Sequence, residues 1–312
     1  MAKKRGQPIH GWVNLDKPVG VSSARAVGTV RRVFNAAKAG HGGTLDPLAS
    51  GVLPIALGEA TKTVSYAMHG KKSYAFTVKW GAETTTDDAE GEIVTMVDNI
   101  PSRDALEAVL PQFTGVIDQV PPIYSAIKIE GKRAYDLARR AAAGEGEAIP
   151  ELAARPITID ALSITADDAT TTTFEVACGK GAYIRALARD IGRIVGSAGH
   201  VVMLRRLSVG PFAAPNAISL DFLESLAHSP AAFEHLHPVV SALDDIPAVP
   251  ISEDEASRFR HGQTLAATSA LAQERFATLL SGEVSIAVCG DTPVALVSLQ
   301  DGEVRPVRVF NM

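Results

Sequence analysis

Residues 40–51, Gly-His-Gly-Gly-Thr-Leu-Asp-Pro-Leu-Ala-Ser-Gly, set one carboxylate, Asp46, in a loop whose other residues are suited to holding it still. Pro47 removes a backbone donor and keeps Asp46 out of the helical region, in extended backbone. The glycines ahead of it tolerate positive φ and let the backbone approach another molecule closely. An imidazole, His41, lies just upstream. A carboxylate presented this way can act as nucleophile or as base. By itself, an Asp-Pro pair is more often a plain turn, so the chemistry needs support from elsewhere in the chain. A free aspartate, with a pKa of about 3.9, is ionised at neutral pH, but a dry pocket opposes the charge unless a cation compensates. Arg185 is a candidate for that cation, because a guanidinium offers a bidentate bond and does not lose its proton. Helical spacing alone would make it a solvated arginine beside an apolar stripe. His235 and His237 are too weak a pair for a metal site, and no further ligand lies at suitable spacing from His41.

The elements that must position these groups follow from pattern. Trp12-Val13-Asn14-Leu15 reads as a strand, turned by Asp16-Lys17-Pro18-Val19-Gly20. Ser22 or Ser23 then caps a helix with apolar Val27, Val30, Val33 and Phe34. On that helix Arg25 and Arg32 share a face, as do Arg31 and Lys38. Residues 74–80 alternate and stop at Gly81, a strand in which Tyr74 taken alone is a core aromatic. The Thr-rich acidic stretch 83–92 reads as a loop or edge. Leu106, Val109, Leu110 and Phe113 recur at helical spacing, and Pro111 should kink or end that helix. Residues 121–126 open a new unit with a basic helix around 133–140. The Ala/Gly/Glu-rich run 141–154 reads as a mobile flap. A strand at 174–178 breaks at Gly179-Lys180-Gly181. Ile184, Leu187, Ala188, Ile191, Ile194 and Val195 then line a helix that Gly196 or Gly199 ends. Residues 217–250 read as a closing helix and a linker. The last part, 251–312, is β-rich, with a hairpin at Asp301-Gly302.

A chain of 312 residues with 46% hydrophobic content can bury a full core. Cys178 and Cys289 lie too far apart in sequence for a C-x-x-C site and do not suggest a disulfide framework, so a reducing cytoplasm fits. The basic N-terminus has no apolar h-region behind it and no apolar run is long enough to span a bilayer, which predicts an untargeted cytoplasmic protein with no membrane partner. The net charge of −5 hides an asymmetry: residues 1–80 carry twelve Lys/Arg against three acids, a balance of +9, leaving −14 on the other 232. Phosphate backbones respond to local potential, so that distribution suits a nucleic-acid face, although a solvated Lys-rich face would look the same. There is no internal repeat, P-loop, G-x-G-x-x-G or G-x-S-x-G elbow, which removes the common nucleotide-binding and hydrolase classes.

The loop around Asp46 resembles the G-H-x-G-x-L-D-P loop of the TruB family of tRNA pseudouridine synthases. Five further blocks carry the same resemblance in the same order: Leu15-Asp16-Lys17-Pro18-Val19-Gly20-Val21-Ser22-Ser23, Gly58-Glu59-Ala60-Thr61-Lys62, Tyr124-Ser125-Ala126 with Lys128, Gly131, Arg133 and Tyr135, Gly179-Lys180-Gly181-x-Tyr183-Ile184-Arg185, and Leu204-Arg205-Arg206-Leu207. They cover residues 11–220. Gly42 departs from the better-known form of the motif, which has Thr there. The resemblance implies that Asp46 is the essential carboxylate and Arg185 its ion-pair partner. It implies that Tyr74 stacks on the flipped base and helps remove the C5 proton, that Tyr183 contacts substrate, that Leu204 lines the uracil pocket, and that His41 helps displace the base from its loop. Lys17 is expected at the substrate side as a phosphate or scaffold contact.

The implied fold is α+β: a mixed, largely antiparallel sheet flanked by helices, residues 1–245, with a flexible insertion at about 125–155. A small β-rich, PUA-like domain would follow at 246–312. The implied reaction converts the T-loop uridine 55 of tRNA to pseudouridine. It is an isomerisation without redox change, so it demands no cofactor and no metal. The expected partner is tRNA, bound by a monomer with no obligate protein partner. Two other readings share the basic patches: an RNA-binding folding helper in which catalysis is secondary or absent, and a guide-RNA-dependent relative acting on ribosomal RNA, which the compact length and absence of long Lys-rich tails disfavour.

Overall fold

The computed structural model describes residues 6–125, 127–129, 131–145, 152–269 and 282–312, together with Ala272, Arg275, Phe276 and Leu279. The centre of the flap expected at 141–154, residues 146–151, lies outside the described residues.

Strands β1 (Gly11–Lys17), β2 (Ala39–His41), β3 (Ser50–Leu57) and β4 (Lys72–Trp80) come from the first quarter of the chain. A hairpin of β5 (Ala82–Thr84) and β6 (Ile93–Met96) follows, then β7 (Gly115–Gln119) and a second small hairpin, β8 (Lys128–Ile129) with β9 (Lys132–Arg133). The long β10 (Arg155–Asp167) and β11 (Thr171–Cys178) precede β12 (Gly199–Val209), β13 (Phe212–Ala213) and β14 (Ile218–Ser219). One sheet runs β14-β1-β3-β12-β4-β11-β10-β7, with β2 added to β3 and β13 to β12. The β1–β14 and β3–β12 pairs are parallel and the rest antiparallel, so the sheet is mixed and largely antiparallel, as expected. Strand β3 sits inside this sheet, and all its residues after Ser50 are buried. That explains its unbroken apolar text, Gly-Val-Leu-Pro-Ile-Ala-Leu, where an exposed face would require alternation.

The helices that matter for the site pack on this sheet. In α1 (Ser23–Val33), Ser22 is the N-cap and its side chain accepts from the Arg25 N–H. Next come α2 (Val64–His69) and α3 (Arg103–Val109), the latter giving way to a 3-10 turn at Pro111, where the proline forbids continuation. After α4 (Ala134–Ala142), α5 (Ile184–Ile194) lays Ile184, Leu187, Ala188 and Ile191 into the main core beside Phe76, Val78 and Phe174. Gly196, at φ 68°, follows its end in the left-handed backbone that favours glycine.

After α6 (Leu220–Ser225), a second sheet forms from β15 (Ala248–Pro250), β16 (Leu265–Ala266), β17 (Val284–Cys289), β18 (Thr292–Gln300) and β19 (Glu303–Val309), in the order β15-β17-β18-β19-β16, with α7 (Glu253–Arg260) against it. Asp301 and Gly302 both take positive φ, as a tight hairpin turn requires. The period of two is visible in the packing. Ala287, Ala295 and Val297 face a core with Phe259, whereas Ile286 and Leu296 face Trp12, Val52, Ala56 and Phe212 of the main sheet.

Three elements differ from the sequence reading. Strands β10 and β12 extend where no complete strand was expected. The acidic stretch 83–92 is the end of β5 and the loop to β6, as expected, but it is not solvated throughout: Glu83, Thr84, Asp87 and Asp88 are buried. Of its acids, Glu83, Asp87 and Asp88 face arginines of α5, so their charge is balanced by the fold rather than by solvent alone.

Candidate active site

Asp46 lies in the connection from β2 to β3, and this loop is tied down from three sides. Ser23, at the start of α1, donates its hydroxyl to the Leu45 carbonyl and accepts the Leu45 N–H, both at 2.8 Å. From the turn after β1, the Gly20 N–H donates to the Pro47 carbonyl at 2.7 Å. From β12, Arg206 donates through Nη2 to Gly43 O at 3.0 Å, through Nη1 to Thr44 O at 3.3 Å and through Nε to Val52 O at 2.7 Å. Gly51 sits so close to β12 that a Cβ would lie 2.1 Å from the Arg206 carbonyl, and its φ is 100°. Only glycine fits there.

Arg185, in the first turn of α5, meets Asp46 at 2.9 Å from Nη2 to Oδ2. Nη2 also donates to Tyr124 O at 2.9 Å; Nη1 donates to Thr86 O at 2.8 Å and lies 3.3 Å from Asp88 Oδ2. The exposures decide what this arrangement can do. The Arg185 side chain is 7% exposed and Asp88 4%, but Asp46 is 40% exposed. One buried guanidinium thus holds a hidden carboxylate and an open one, and of the two only Asp46 is open to solvent.

The same helix repeats the pattern at four-residue spacing, which places Arg185, Arg189 and Arg193 on one face. Arg189 reaches Asp87 at 3.0 Å and Val120 O at 2.8 Å; Arg193 grips Glu83 with two bonds, at 2.8 and 2.7 Å. Burial pushes the Asp87 carboxyl up, against the opposing pull of Arg189. Sequence reading did not assign this role to residues 83–88. Their signal was the spacing of three arginines on a largely apolar helix with a single acid, Asp190, to balance them, since buried charges need partners.

Tyr74 lies on β4, 8% exposed and in register with Arg206 on β12. Burial raises its phenol, while the neighbouring Arg206 charge acts the other way. Burial likewise lowers Arg206, which the Tyr74 hydroxyl opposes. Leu204 is buried two residues before Arg206, opposite Phe76. Tyr183 stands at the N-cap of α5, its backbone N–H and C=O both bonded to the Gln119 side chain. Burial raises the Tyr183 hydroxyl. The Asp46 charge works against the effect of burial at Lys17 and adds slightly to it at Tyr74 and Tyr183. His41 closes β2, and its Nδ1 is buried without a hydrogen bond among the described residues. Burial first, and then Arg206, holds this imidazole below its ordinary pKa.

Lys17 turns out to be a scaffold group. It is 0% exposed, and its ammonium donates to Pro18 O, Val21 O and Pro47 O at 2.9, 2.7 and 3.4 Å. Three protons meet three carbonyls, leaving none for a phosphate. Burial pushes it down to about 8, with Asp46 pulling the other way. Arg32 stands on an open face as expected, its side chain 69% exposed, and pairs there with Glu224 at 3.1 Å. Among the described residues, no helix is long and apolar enough to cross a membrane.

Comparison with known proteins shows the family. The model of the TruB family pseudouridylate synthase N-terminal domain matches residues 31–184, and that of the tRNA pseudouridylate synthase B C-terminal domain matches 185–246. The junction of the two falls at the start of α5, so both contribute to the Asp46–Arg185 pair. The chain is 51% identical over 310 residues to tRNA pseudouridine synthase B of Bradyrhizobium diazoefficiens, covering 97% of this chain and 86% of that protein. It is 49% identical over 314 residues to tRNA pseudouridine synthase B of Rhodospirillum rubrum, covering 99% of each. The solved structure of a Cbf5-Nop10-Gar1 complex superposes with a TM-score of 0.71 at 25% identity, covering 96% of this chain and 84% of that one. With matching family models across most of its length and relatives at half identity over nearly all of it, the chain belongs to the TruB family of pseudouridylate synthases.

Proposed function

We propose that this enzyme isomerises the T-loop uridine 55 of tRNA to pseudouridine, with Asp46 as its essential carboxylate. The observation that carries the reading is the asymmetry at Arg185: a buried guanidinium whose one open partner is Asp46. The reaction breaks the bond from N1 of uracil to the anomeric carbon, turns the base and joins C5 to that carbon. The C5 proton leaves and N1 gains one, so no electrons are exchanged with a cofactor. Asp46 acts at the sugar, as nucleophile at the anomeric carbon or as base toward a ribose proton. Arg185 holds its carboxylate in place through the attack.

Tyr74 and Leu204 form the surface against which the uracil turns, with Tyr74 stacking on the base and taking part in removal of the C5 proton. Stacking of this kind is worth about 1–3 kcal/mol per base. Tyr183 bounds the same pocket. His41, held neutral by burial, occupies the place left by the flipped base, since a base acted on inside folded RNA must leave its stack. Residues 1–245 form the catalytic domain, and 246–312, the five-stranded sheet with α7, act as a PUA-like unit on the acceptor end of tRNA. The enzyme works in the cytoplasm as a monomer, without a protein partner or a guide RNA.

The decisive experiment measures tritium release from a tRNA transcript labelled at uracil C5, using wild type and Asp46→Asn with no other component added. Release by wild type alone, mapped to the T-loop, is the expected result. Tight binding without release by wild type would replace this reading with that of an RNA-binding folding helper, and release only with a guide RNA would make it a guide-dependent enzyme.

A further inference from the structure

Gln119 is the last residue of β7, the edge strand of the main sheet, and it is 2% exposed. Its side-chain amide does what a neighbouring strand would do. Nε2 donates to Tyr183 O at 3.1 Å, and Oε1 accepts the Tyr183 N–H at 2.8 Å. Tyr183 is the N-cap of α5 and has no side-chain cap bond of its own. The Tyr183 carbonyl also accepts the Leu187 N–H at 3.0 Å, so without Gln119 it is the Tyr183 N–H that would lose its partner, which is costly at a half-buried helix start.

The contact continues along the chain. Arg189 takes Val120 O at 2.8 Å and Arg185 takes Tyr124 O at 2.9 Å, so residues 119–124 run along the first turns of α5 and are bonded to it at three places. Of these, the Gln119 pair alone engages the backbone of α5's cap, and it alone can set where the helix begins. An α-helix turns about 100° per residue. A one-residue slip in its start would therefore swing Arg185, two positions after Tyr183, away from Asp46.

We propose that Gln119 is a positioning residue: by reading both backbone groups of Tyr183 it fixes the phase of α5, and so aims Arg185 at Asp46 and Tyr183 at the substrate. The inference rests on the roles given to Asp46 and Arg185 under Proposed function. The chemistry requires a primary amide, because the group must donate and accept at once. A carboxylate of the same shape would set an acceptor against the Tyr183 carbonyl, and a thioether would do neither.

The test uses the full chain and two variants of similar volume, Gln119→Met and Gln119→Glu. Truncation to Ala is avoided, because Gln119 already borders a cavity of about 140 Å³ with Ile127, Ile157 and Tyr183 that would enlarge. Three quantities are measured: single-turnover pseudouridine formation, tRNA affinity, and amide hydrogen exchange of the 183–189 segment in the free protein. The single-turnover rate should fall roughly tenfold to a hundredfold in both variants, the scale expected when a reacting group is displaced by about 1 Å. Affinity should stay within about threefold, and exchange across 183–189 should accelerate. Should Gln119→Met fail to fold, Gln119→Glu, which keeps one bond, decides. Wild-type rates and exchange in the variants would overturn the proposal, as would equal losses of rate and affinity, which mark an RNA contact. A wild type that forms no pseudouridine would refute the functional reading, while the exchange data would still judge the clamp.

Discussion

Replacing Arg185 by lysine keeps the charge and removes the fork, and the structure states what that removes. In the native protein, two nitrogens serve four acceptors: Nη2 holds Asp46 Oδ2 at 2.9 Å and Tyr124 O at 2.9 Å, and Nη1 holds Thr86 O at 2.8 Å and Asp88 Oδ2 at 3.3 Å. An ammonium has three protons on one atom, so at least one acceptor is lost by count alone. Two losses are more realistic, since one nitrogen cannot occupy both positions of the fork. A bond to a charged group is worth about 1.5–3 kcal/mol. The Asp46 end contributes little of this, less than about 1 kcal/mol, because that side chain is 40% exposed and solvent screens the pair. Asp88 and the two carbonyls are hidden and contribute most. Arg185→Lys should therefore destabilise the fold by about 2–3 kcal/mol in denaturant unfolding. If the ammonium settles toward Asp88, Asp46 loses its orientation and single-turnover tritium release should drop about a hundredfold. Affinity for tRNA should move less than threefold, since Arg185 is buried and offers no phosphate contact. A variant that is destabilised as calculated yet releases tritium at the wild-type rate would refute the argument that the guanidinium fork aims Asp46.

Other outcomes follow from neighbouring contacts. Asp46→Asn preserves shape and should leave no measurable product while retaining tRNA binding; product from this variant, checked by mass, would remove Asp46 from the chemistry. Arg206→Met takes two bonds from the loop backbone and one from β3 and should cost about 3–5 kcal/mol with loss of activity; denaturant unfolding that shows less than 1 kcal/mol would mean the loop holds itself. Lys72, like Lys17, is pushed down to about 8 by burial, below the ordinary 10.5, so between those values the folded chain binds fewer protons than the unfolded one and stability should rise with pH. Unfolding at pH 7.5 and 9.5 should show that rise in wild type and a smaller one in Lys72→Met. Lys62 donates to Val309 O and to Glu59, which also accepts the Asn311 N–H, so Lys62→Met should speed proteolysis near the C-terminus without changing the rate at Asp46; protection equal to wild type would place the grip elsewhere.

How much of this was legible depended on where each cause lay along the chain. Local causes were readable. Ser22 caps α1, Pro111 stops α3, Asp301-Gly302 turns the last hairpin, and a stripe of Ile and Leu buries α5, all within a few residues of their effect. The Asp46 loop could be found by its own text, and the Arg185 pairing came from the resemblance of a motif well over a hundred residues away. What holds the pair in place had no local signature. Acids among threonines at 83–92 have the text of a solvated loop, and only arginines a hundred residues later bury them. Lys17 was left open between two roles: in a glycine- and proline-rich turn a lysine has the text of a phosphate or a scaffold contact, and only the three carbonyls of its own chain that surround it select the scaffold. Arg206 follows another arginine in a strand with no hint that one points outward to Asp16 and the other beneath the loop. A site such as this requires one open carboxylate on a rigid support, and the two requirements select differently. The open group needs particular neighbours in sequence, because its loop must take a particular backbone path. The support needs only charge or amide at the right point in space, which any element can supply, and so it is spread over β1, β7, β12, α5 and the 83–88 segment.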